Sequence, residues 1–272
     1  MNKISVLISV YSKEQPAYLQ QSLDSIFAQT MPPDEVVLVE DGPLTEPLLA
    51  VIASFAQQHQ ELHIVKLPTN VGLGLALNEG LKHCHNHLVA RMDSDDIMKP
   101  ERLAKQAAYL EQHPETAIVG SWTEEFRGSI NESYTIRKVP ETHQQLVAFS
   151  KRRNPMNHPT VMFRKQAVEA AGSYRHCLLF EDYDLWVRMM SQGAHFHNLQ
   201  ESLLYFRVSN DFFKRRGGWA YIRQEIRFQQ SLHQMGHIGY ATMIQNIMMR
   251  TLLRMIPNKW RQKSYLFLLR KQ

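Results

Sequence analysis

Val89–Ala90–Arg91–Met92–Asp93–Ser94–Asp95–Asp96 runs from an apolar segment into three carboxylates within four residues, with Ile97 and Pro100 behind them. A short apolar run bounded by a polar turn reads as a buried strand. Similar β-rich runs lie at 3–11, 35–40, 62–67 and 87–92, and helical patterns occupy 16–29, 45–59, 72–85 and 100–112. Strands separated by helices of that length predict an α/β chain with a mostly parallel sheet, flanked by helices on both faces. In such sheets ligands bind outside the carboxyl ends of the strands. That rule singles out Ser9–Tyr11, Asp41, Asn70 and Asp93–Asp96, each just after a predicted strand.

Three crowded carboxylates raise one another's pKa unless a cation compensates. A hard divalent ion does so naturally, and Mg²⁺ or Mn²⁺ commonly takes one or two carboxylates together with phosphate oxygens. The plain alternative is an acidic turn capping the helix that starts near Pro100; the position at a strand's carboxyl end favours the ion. A second acidic group, Glu181–Asp182–Tyr183–Asp184–Leu185–Trp186, opens a predicted helix at Asp182–Gln192. Acids suit a helix N-terminus for reasons of the dipole alone, but beside an ion site a carboxylate there can also accept a proton from an attacking hydroxyl.

The middle of the chain, 117–212, is less regular: Ala117–Phe126 and Pro159–Arg164 read as strands and Lys165–Ala171 as a short helix. Beyond Gly217–Gly218 the pattern is helical. Within Gly239–Ile256, Ile244, Ile247, Met248, Leu252 and Met255 share a face, with Arg250 and Arg254 beside it. His83–Cys84–His85–Asn86–His87 closes a helix without an acid and reads as dipole partners, not as a metal site.

The 272 residues allow one sizeable domain and an appendage, and 44% apolar with 21% charged residues is an ordinary globular composition. Cys84 and Cys177 read as free thiols in a reducing compartment. The chain passes from Met1–Asn2–Lys3 straight into Ile4–Val10, too short for an h-region with a cleavage site, so a first strand and no signal peptide are expected, and no run reaches the roughly 18 apolar residues of a membrane span. A cytoplasmic location is expected. The net charge is +5, yet Lys214–Gln272 holds twelve Lys and Arg against the single acid Glu225, so the rest is net negative. A basic tail on an acidic body predicts an anionic contact. Trp219, Tyr221, Trp260, Tyr265 and Phe267 among those charges suit a helix lying on a membrane surface. A nucleic-acid groove is the rival reading, but no recognised nucleic-acid module accompanies it.

In order and spacing these motifs resemble the family 2 glycosyltransferases, inverting enzymes of the GT-A (Rossmann-type) fold, especially the bacterial ones that build O-antigen, capsule and exopolysaccharide units. The resemblance covers about residues 3–212 and rests on Ile8–Ser9–Val10–Tyr11, Val39–Glu40–Asp41–Gly42, Asn70–Val71–Gly72–Leu73–Gly74 with Asn78 and Gly80, Ala90–Asp96, Asn157–His158–Pro159 and Glu181–Trp186. It implies that Ser9, Tyr11 and Asp41 hold uracil and ribose, and that Asn70, Gly72 and Arg91 line the nucleotide pocket. Asp93 would meet the ribose side of the donor, Asp95 would ligate Mn²⁺ or Mg²⁺, and Asp96 would support the donor sugar or the metal shell. Asp182 would be the base, with Glu181 orienting the acceptor or the helix start; His158, Trp186, Arg215 and Arg216 would meet the acceptor.

The expected organisation is a GT-A-like catalytic domain at 1–212 and a basic helical extension at 213–272, peripheral on the cytoplasmic face of the inner membrane. The expected reaction moves a hexose, galactose first, from a UDP-sugar to an undecaprenyl-diphosphate-linked GlcNAc or GalNAc in β-linkage. Glucosyl or N-acetylhexosaminyl transfer to another acceptor is an alternative. A nucleotidyltransferase would carry a Gly-rich loop with a basic residue after the first strand, where Ser12–Lys13–Glu14–Gln15 stands. A non-catalytic relative is opposed by the intact Asp95 and Asp182.

Overall fold

The computed structural model describes residues 3–208 and 218–255. The chain begins with β1 (Ile4–Val10), α1 (Pro16–Phe27), β2 (Glu35–Glu40), α2 (Glu46–Gln58), β3 (Leu62–Lys66), α3 (Leu73–His83), β4 (Leu88–Asp93), β5 (Ile97–Met98) and α4 (Arg102–Gln112). It continues with β6 (Thr116–Arg127), β7 (Ser129–Arg137), α5 (His143–Ser150), a 3₁₀ turn at His158–Thr160, β8 (Met162–Arg164), α6 (Lys165–Ala170), α7 (Glu181–Ser191) and β9 (His195–Arg207). Two helices follow, α8 (Trp219–Gln234) and α9 (Tyr240–Met255).

Side chains alternate across a strand, and β1 divides accordingly. Ile4, Val6, Ile8 and Val10 enter one core with Leu19, Leu23 and Ile26 of α1, Leu48 and Ile52 of α2, and Leu103 and Leu110 of α4. Leu7 enters the opposite core, where Ala76, Leu77 and Leu81 of α3 meet Leu185, Trp186 and Met189 of α7. Both faces are therefore covered, which is why β1, β2 and β4 read as nearly continuous apolar runs. The seat of α3 on the sheet depends on Gly80. A Cβ there would lie 2.5 Å from Val39 Cγ2 and 2.6 Å from Leu7 Cδ1. Gly80→Ala is expected to destabilise the fold by about 1–3 kcal/mol through overpacking. The check is a denaturant midpoint, and a midpoint equal to wild type would contradict this packing.

The sheet order is β3-β2-β1-β4-β8-β6-β9-β5, with β7 paired to β6. From β3 to β4 all pairs are parallel, as the strand–helix alternation predicts. Past β4 the sheet is mixed: β8 runs antiparallel to β4 and β6, and β9 parallel to β6. The irregular reading of 117–212 is thus corrected by three further elements, β7, α5 and β9. In β9, Asn198, Gln200 and Glu201 interrupt the apolar residues, and its register against β6 shifts on either side of Trp122. No clean period of two survives such shifts. The strand order reverses direction between β1 and β4, which makes the crevice at their carboxyl ends a topological switch point.

Phe180, Tyr183 and Val187 pack against Phe228, Leu232, Ile238 and Met243 and so join α8 and α9 to α7. Glu225 of α8, 2% exposed, accepts from Arg250 Nη1 at 2.5 Å and from Arg254 Nη2 at 3.3 Å. A buried carboxylate needs such cations, and serving it turns the arginine side of α9 inward. Ile244, Met248, Met249, Leu252 and Met255 are left exposed, while Ile247 is half-buried. Among the described residues no helix is long and apolar enough to cross a membrane. The expected boundary at 212/213, together with Arg215 and Arg216, lies outside the described residues.

Candidate active site

The site begins where Ser9 at the end of β1 pairs with Asp93 at the end of β4. The chain then turns through Ser94–Asp95–Asp96 into β5, which pairs antiparallel with the end of β9. Asp93, Asp95 and Asp96 each bring a carboxylate oxygen to within 4.8 Å of the others, and among the described residues theirs is the one such group of His, Cys, Asp or Glu. Burial, and then the Asp93 and Glu14 carboxylates, push Asp95 up to about 7. Burial and the two neighbouring acids push Asp96 well above the usual range. Asp96 Oδ1 accepts the Arg207 backbone N–H at 2.8 Å, whereas its buried Oδ2 has no partner among the described residues. Converging oxygens, mutual repulsion and an orphaned carboxylate oxygen fit a hard divalent cation.

A pH signature follows from these shifts. An acid with a raised folded pKa binds protons more tightly folded than unfolded. In the metal-free chain Asp95 therefore lowers stability as pH rises from its unfolded value near 3.8 through about 7. A divalent ion competes with those protons. Mn²⁺ is expected to raise the melting temperature more at pH 7.5 than at pH 5.5, as read by scanning fluorimetry; an equal or larger rise at pH 5.5 would contradict the assignment.

Arg91, expected in the nucleotide pocket, is 1% exposed. Its Nη2 donates to Asp93 Oδ1, and Nε and Nη1 are buried without partners among the described residues. Beneath it Arg102, also fully buried, donates from Nη2 to the Arg91 carbonyl at 2.7 Å and from Nε to Gln106 Oε1 at 3.1 Å. Burial, with Arg91 alongside, lowers the Arg102 guanidinium to about 9. Nothing in the sequence marks Arg102, because an arginine in a first helical turn ordinarily faces water.

On the other side of the crevice, Asp41 follows β2 and is 4% exposed. Its carboxylate accepts from Val71 N–H at 2.7 Å, Gly72 N–H at 3.1 Å and Asn70 Nδ2 at 3.0 Å. Asp41 and Asn70, both expected against the nucleotide, thus bind each other and fix the turn that leads to Gly72 and α3. Gly42 allows this: its φ is +82°, and a Cβ would meet Asn70 N at 2.5 Å. Ser9 is half-buried and Tyr11 is 36% exposed.

Glu181 and Asp182 start α7. The close approach of α3 to α7 requires Gly74, where a Cβ would sit 3.0 Å from both Glu181 Cβ and the Arg175 carbonyl. Burial, and then Asp182, push Glu181 up to about 7. Burial also raises Asp182, against hydrogen bonds from Asn154 Nδ2 at 2.5 Å and its neighbour Tyr183 N–H at 2.7 Å. Glu181 feels the charges of Arg91 and Asp93, and Asp182 feels Arg91 and Arg137, so this pair is electrostatically tied to the acid turn. Asn154, in the loop before Pro155, is a neighbour the sequence does not announce.

Two residues expected at the acceptor, Trp186 and His158, lie close together, with ring centroids 6.0 Å apart. Trp186 is fully buried and edge-on to Phe196 at 6.1 Å, packed into the core. The inward face of α7 that carries Leu185 and Met189 carries the indole as well. His158 pairs its Nε2 with Tyr174 Oη at 3.0 Å, and burial, with Arg91 nearby, holds its pKa well below the usual histidine range. It stands as a neutral hydrogen-bonding group beside Tyr174.

A crevice at the switch point of a half-parallel sheet, bordered by an acidic turn and an acid pair, belongs to a GT-A-like transferase. The chain is a member of glycosyl transferase family 2, whose family model matches residues 5–171. It is 42% identical over 261 residues to the amylovoran biosynthesis glycosyltransferase AmsE of Erwinia amylovora, covering 96% of this chain and 97% of that one. It is 36% identical over 263 residues to the UDP-Gal:alpha-D-GlcNAc-diphosphoundecaprenol beta-1,3-galactosyltransferase of Escherichia coli, covering 97% and 95%. In fold it is similar to S. aureus TarS 1-349 in complex with UDP-GlcNAc, with a TM-score of 0.66 at 18% identity, over 98% of this chain and 75% of that one. The chain is thus a glycosyltransferase.

Proposed function

We propose that the chain transfers galactose, with inversion, from UDP-galactose to undecaprenyl-diphosphate-linked N-acetylglucosamine or N-acetylgalactosamine, making a β-linkage in surface-polysaccharide assembly. The observation that carries the reaction is the Asp93–Asp95–Asp96 carboxylate cluster, electrostatically coupled to the Glu181–Asp182 pair, with Asp95, Asp96, Glu181 and Asp182 held at raised pKa. The donor and acceptor are suggested by the E. coli relative named for that transfer, which is similar along nearly the whole chain.

In this reading Asp95, with Asp93 and Asp96, holds Mn²⁺ or Mg²⁺, which when bound offsets the negative charge of the departing diphosphate. Ser9, Tyr11 and the turn braced by Asp41 and Asn70 receive the nucleoside. Asp182 takes the proton of the acceptor hydroxyl on the face opposite the diphosphate, as single-displacement inversion requires. Its raised pKa makes it a better base than a solvent-exposed aspartate. Asn154 fixes the carboxylate's direction, and Glu181 orients the acceptor. Residues 1–212 form the catalytic body. The extension from 213 seats the enzyme peripherally on an anionic membrane face, a view supported by the outward apolar side of α9 and by the basic sequence after it.

The test is a donor panel of UDP-galactose, UDP-glucose and UDP-N-acetylhexosamines with Mn²⁺ and a lipid-diphosphate GlcNAc acceptor. UDP-galactose consumption with a β-configured product by NMR is expected. Use of a different donor would replace galactose in this reading, and no consumption of any UDP-sugar under any metal condition would end it.

A further inference from the structure

The geometry points to Arg207 as a positioning residue that braces the acid turn from behind. It goes beyond the motifs, because Arg207 sits at the end of a strand that carries none of them. Two ladder pairs, Ile97↔Tyr205 and Met98↔Leu204, join β5 to β9. Extending that register sets Asp95 opposite Arg207. The contacts follow the register: Arg207 N–H donates to Asp96 Oδ1 at 2.8 Å, and Arg207 Nε donates to the Asp95 carbonyl at 2.8 Å.

The guanidinium is itself anchored. It is 5% exposed, its Nη2 donates to Gln21 Oε1 at 2.5 Å, and it lies 4.0 Å from the Tyr18 ring centroid and 4.5 Å from that of Phe126. Two aromatic faces and a planar fork fix an arginine in a way a lysine cannot reproduce. Arg207 therefore links α1, β6 and the acid turn, and it holds Asp95 through the backbone carbonyl and not through the carboxylate. Partners of this kind behind an ion's ligands commonly govern affinity by orienting them.

This inference rests on the reading of the acid turn as an ion site, so the experiment separates the two. Mn²⁺ binding to the purified chain in the presence of UDP, without turnover, is measured by electron paramagnetic resonance of the free ion. The variants are Arg207→Lys, which keeps the charge and loses the fork, Gln21→Ala, which removes one anchor from an exposed position, and Asp95→Asn. Arg207→Lys is expected to bind Mn²⁺ about tenfold more weakly, and Gln21→Ala about threefold more weakly. In turnover assays the half-saturating Mn²⁺ concentration of Arg207→Lys should rise by a similar factor, with kcat at saturating Mn²⁺ within about twofold of wild type. If Arg207→Lys does not fold, Gln21→Ala decides. Both variants binding like wild type while Asp95→Asn loses binding would overturn the role of Arg207 and leave the ion site standing. Wild-type binding by Asp95→Asn would overturn the ion site and the brace together.

Discussion

An Asp95→Asn chain is expected to turn over about a thousandfold more slowly than wild type while keeping its fold, the scale of loss seen when one charge-stabilising group is removed from a reaction centre. The substitution preserves shape and removes one of three crowded carboxylates. In the metal-free chain it also removes a carboxylate whose pKa burial, and then the Asp93 and Glu14 carboxylates, raise to about 7, and with it part of the repulsion that adds to burial in pushing Asp96 up. The variant should therefore melt at or above the wild-type temperature without metal, and should lose the rise produced by Mn²⁺. UDP release gives the turnover, and scanning fluorimetry with and without Mn²⁺ gives the stability. More than a tenth of wild-type turnover, or an undiminished response to Mn²⁺, would remove Asp95 from the ion site.

The second large effect is expected at Asp182. Asp182→Asn keeps an oxygen at the Oδ1 position to accept from Tyr183 N–H, so the start of α7 should hold, while the bond that Oδ2 accepts from Asn154 Nδ2 is lost. What disappears is proton acceptance, which contributes about 10²–10⁴-fold in positioned general-base catalysis. Turnover should fall within that range while UDP affinity stays at the wild-type value. The pH profile adds a sign. A base works only when deprotonated, and burial raises this one, so wild-type turnover should climb with pH along an acid limb displaced above the ordinary aspartate range. Asp182→Asn should flatten that limb. Loss of UDP binding in step with turnover would assign Asp182 to the donor pocket instead.

The parts of this molecule that were legible in the sequence are those where local pattern and tertiary role coincide. β1, β2 and β4 are buried on both faces and so read as apolar runs, and an acid cluster at the end of one of them needs no distant partner to be noticed. Arg207 and Asn154 were not legible because their importance comes from residues more than twenty positions away, Asp95 and Asp182. Arg91 shows the opposite case, a residue in the right motif whose guanidinium is turned inward to Asp93. The burial of Trp186 was not legible for a related reason: one turn of α7 carries both the acids and the apolar residues that fill the core, and spacing alone does not say which side an indole takes. In α9 the apolar stripe was visible, but its outward direction was set by Glu225 on another helix, which claims Arg250 and Arg254.

The central claim is that the nucleotide diphosphate binds through an ion held on the acid turn. Calorimetric titration of UDP into the metal-free chain, with Mn²⁺ and then with excess EDTA, tests it most directly. UDP is expected to bind with Mn²⁺, to be lost with EDTA and in Asp95→Asn, and to be retained in Asp182→Asn. Binding of equal strength with EDTA, or in Asp95→Asn, would contradict it.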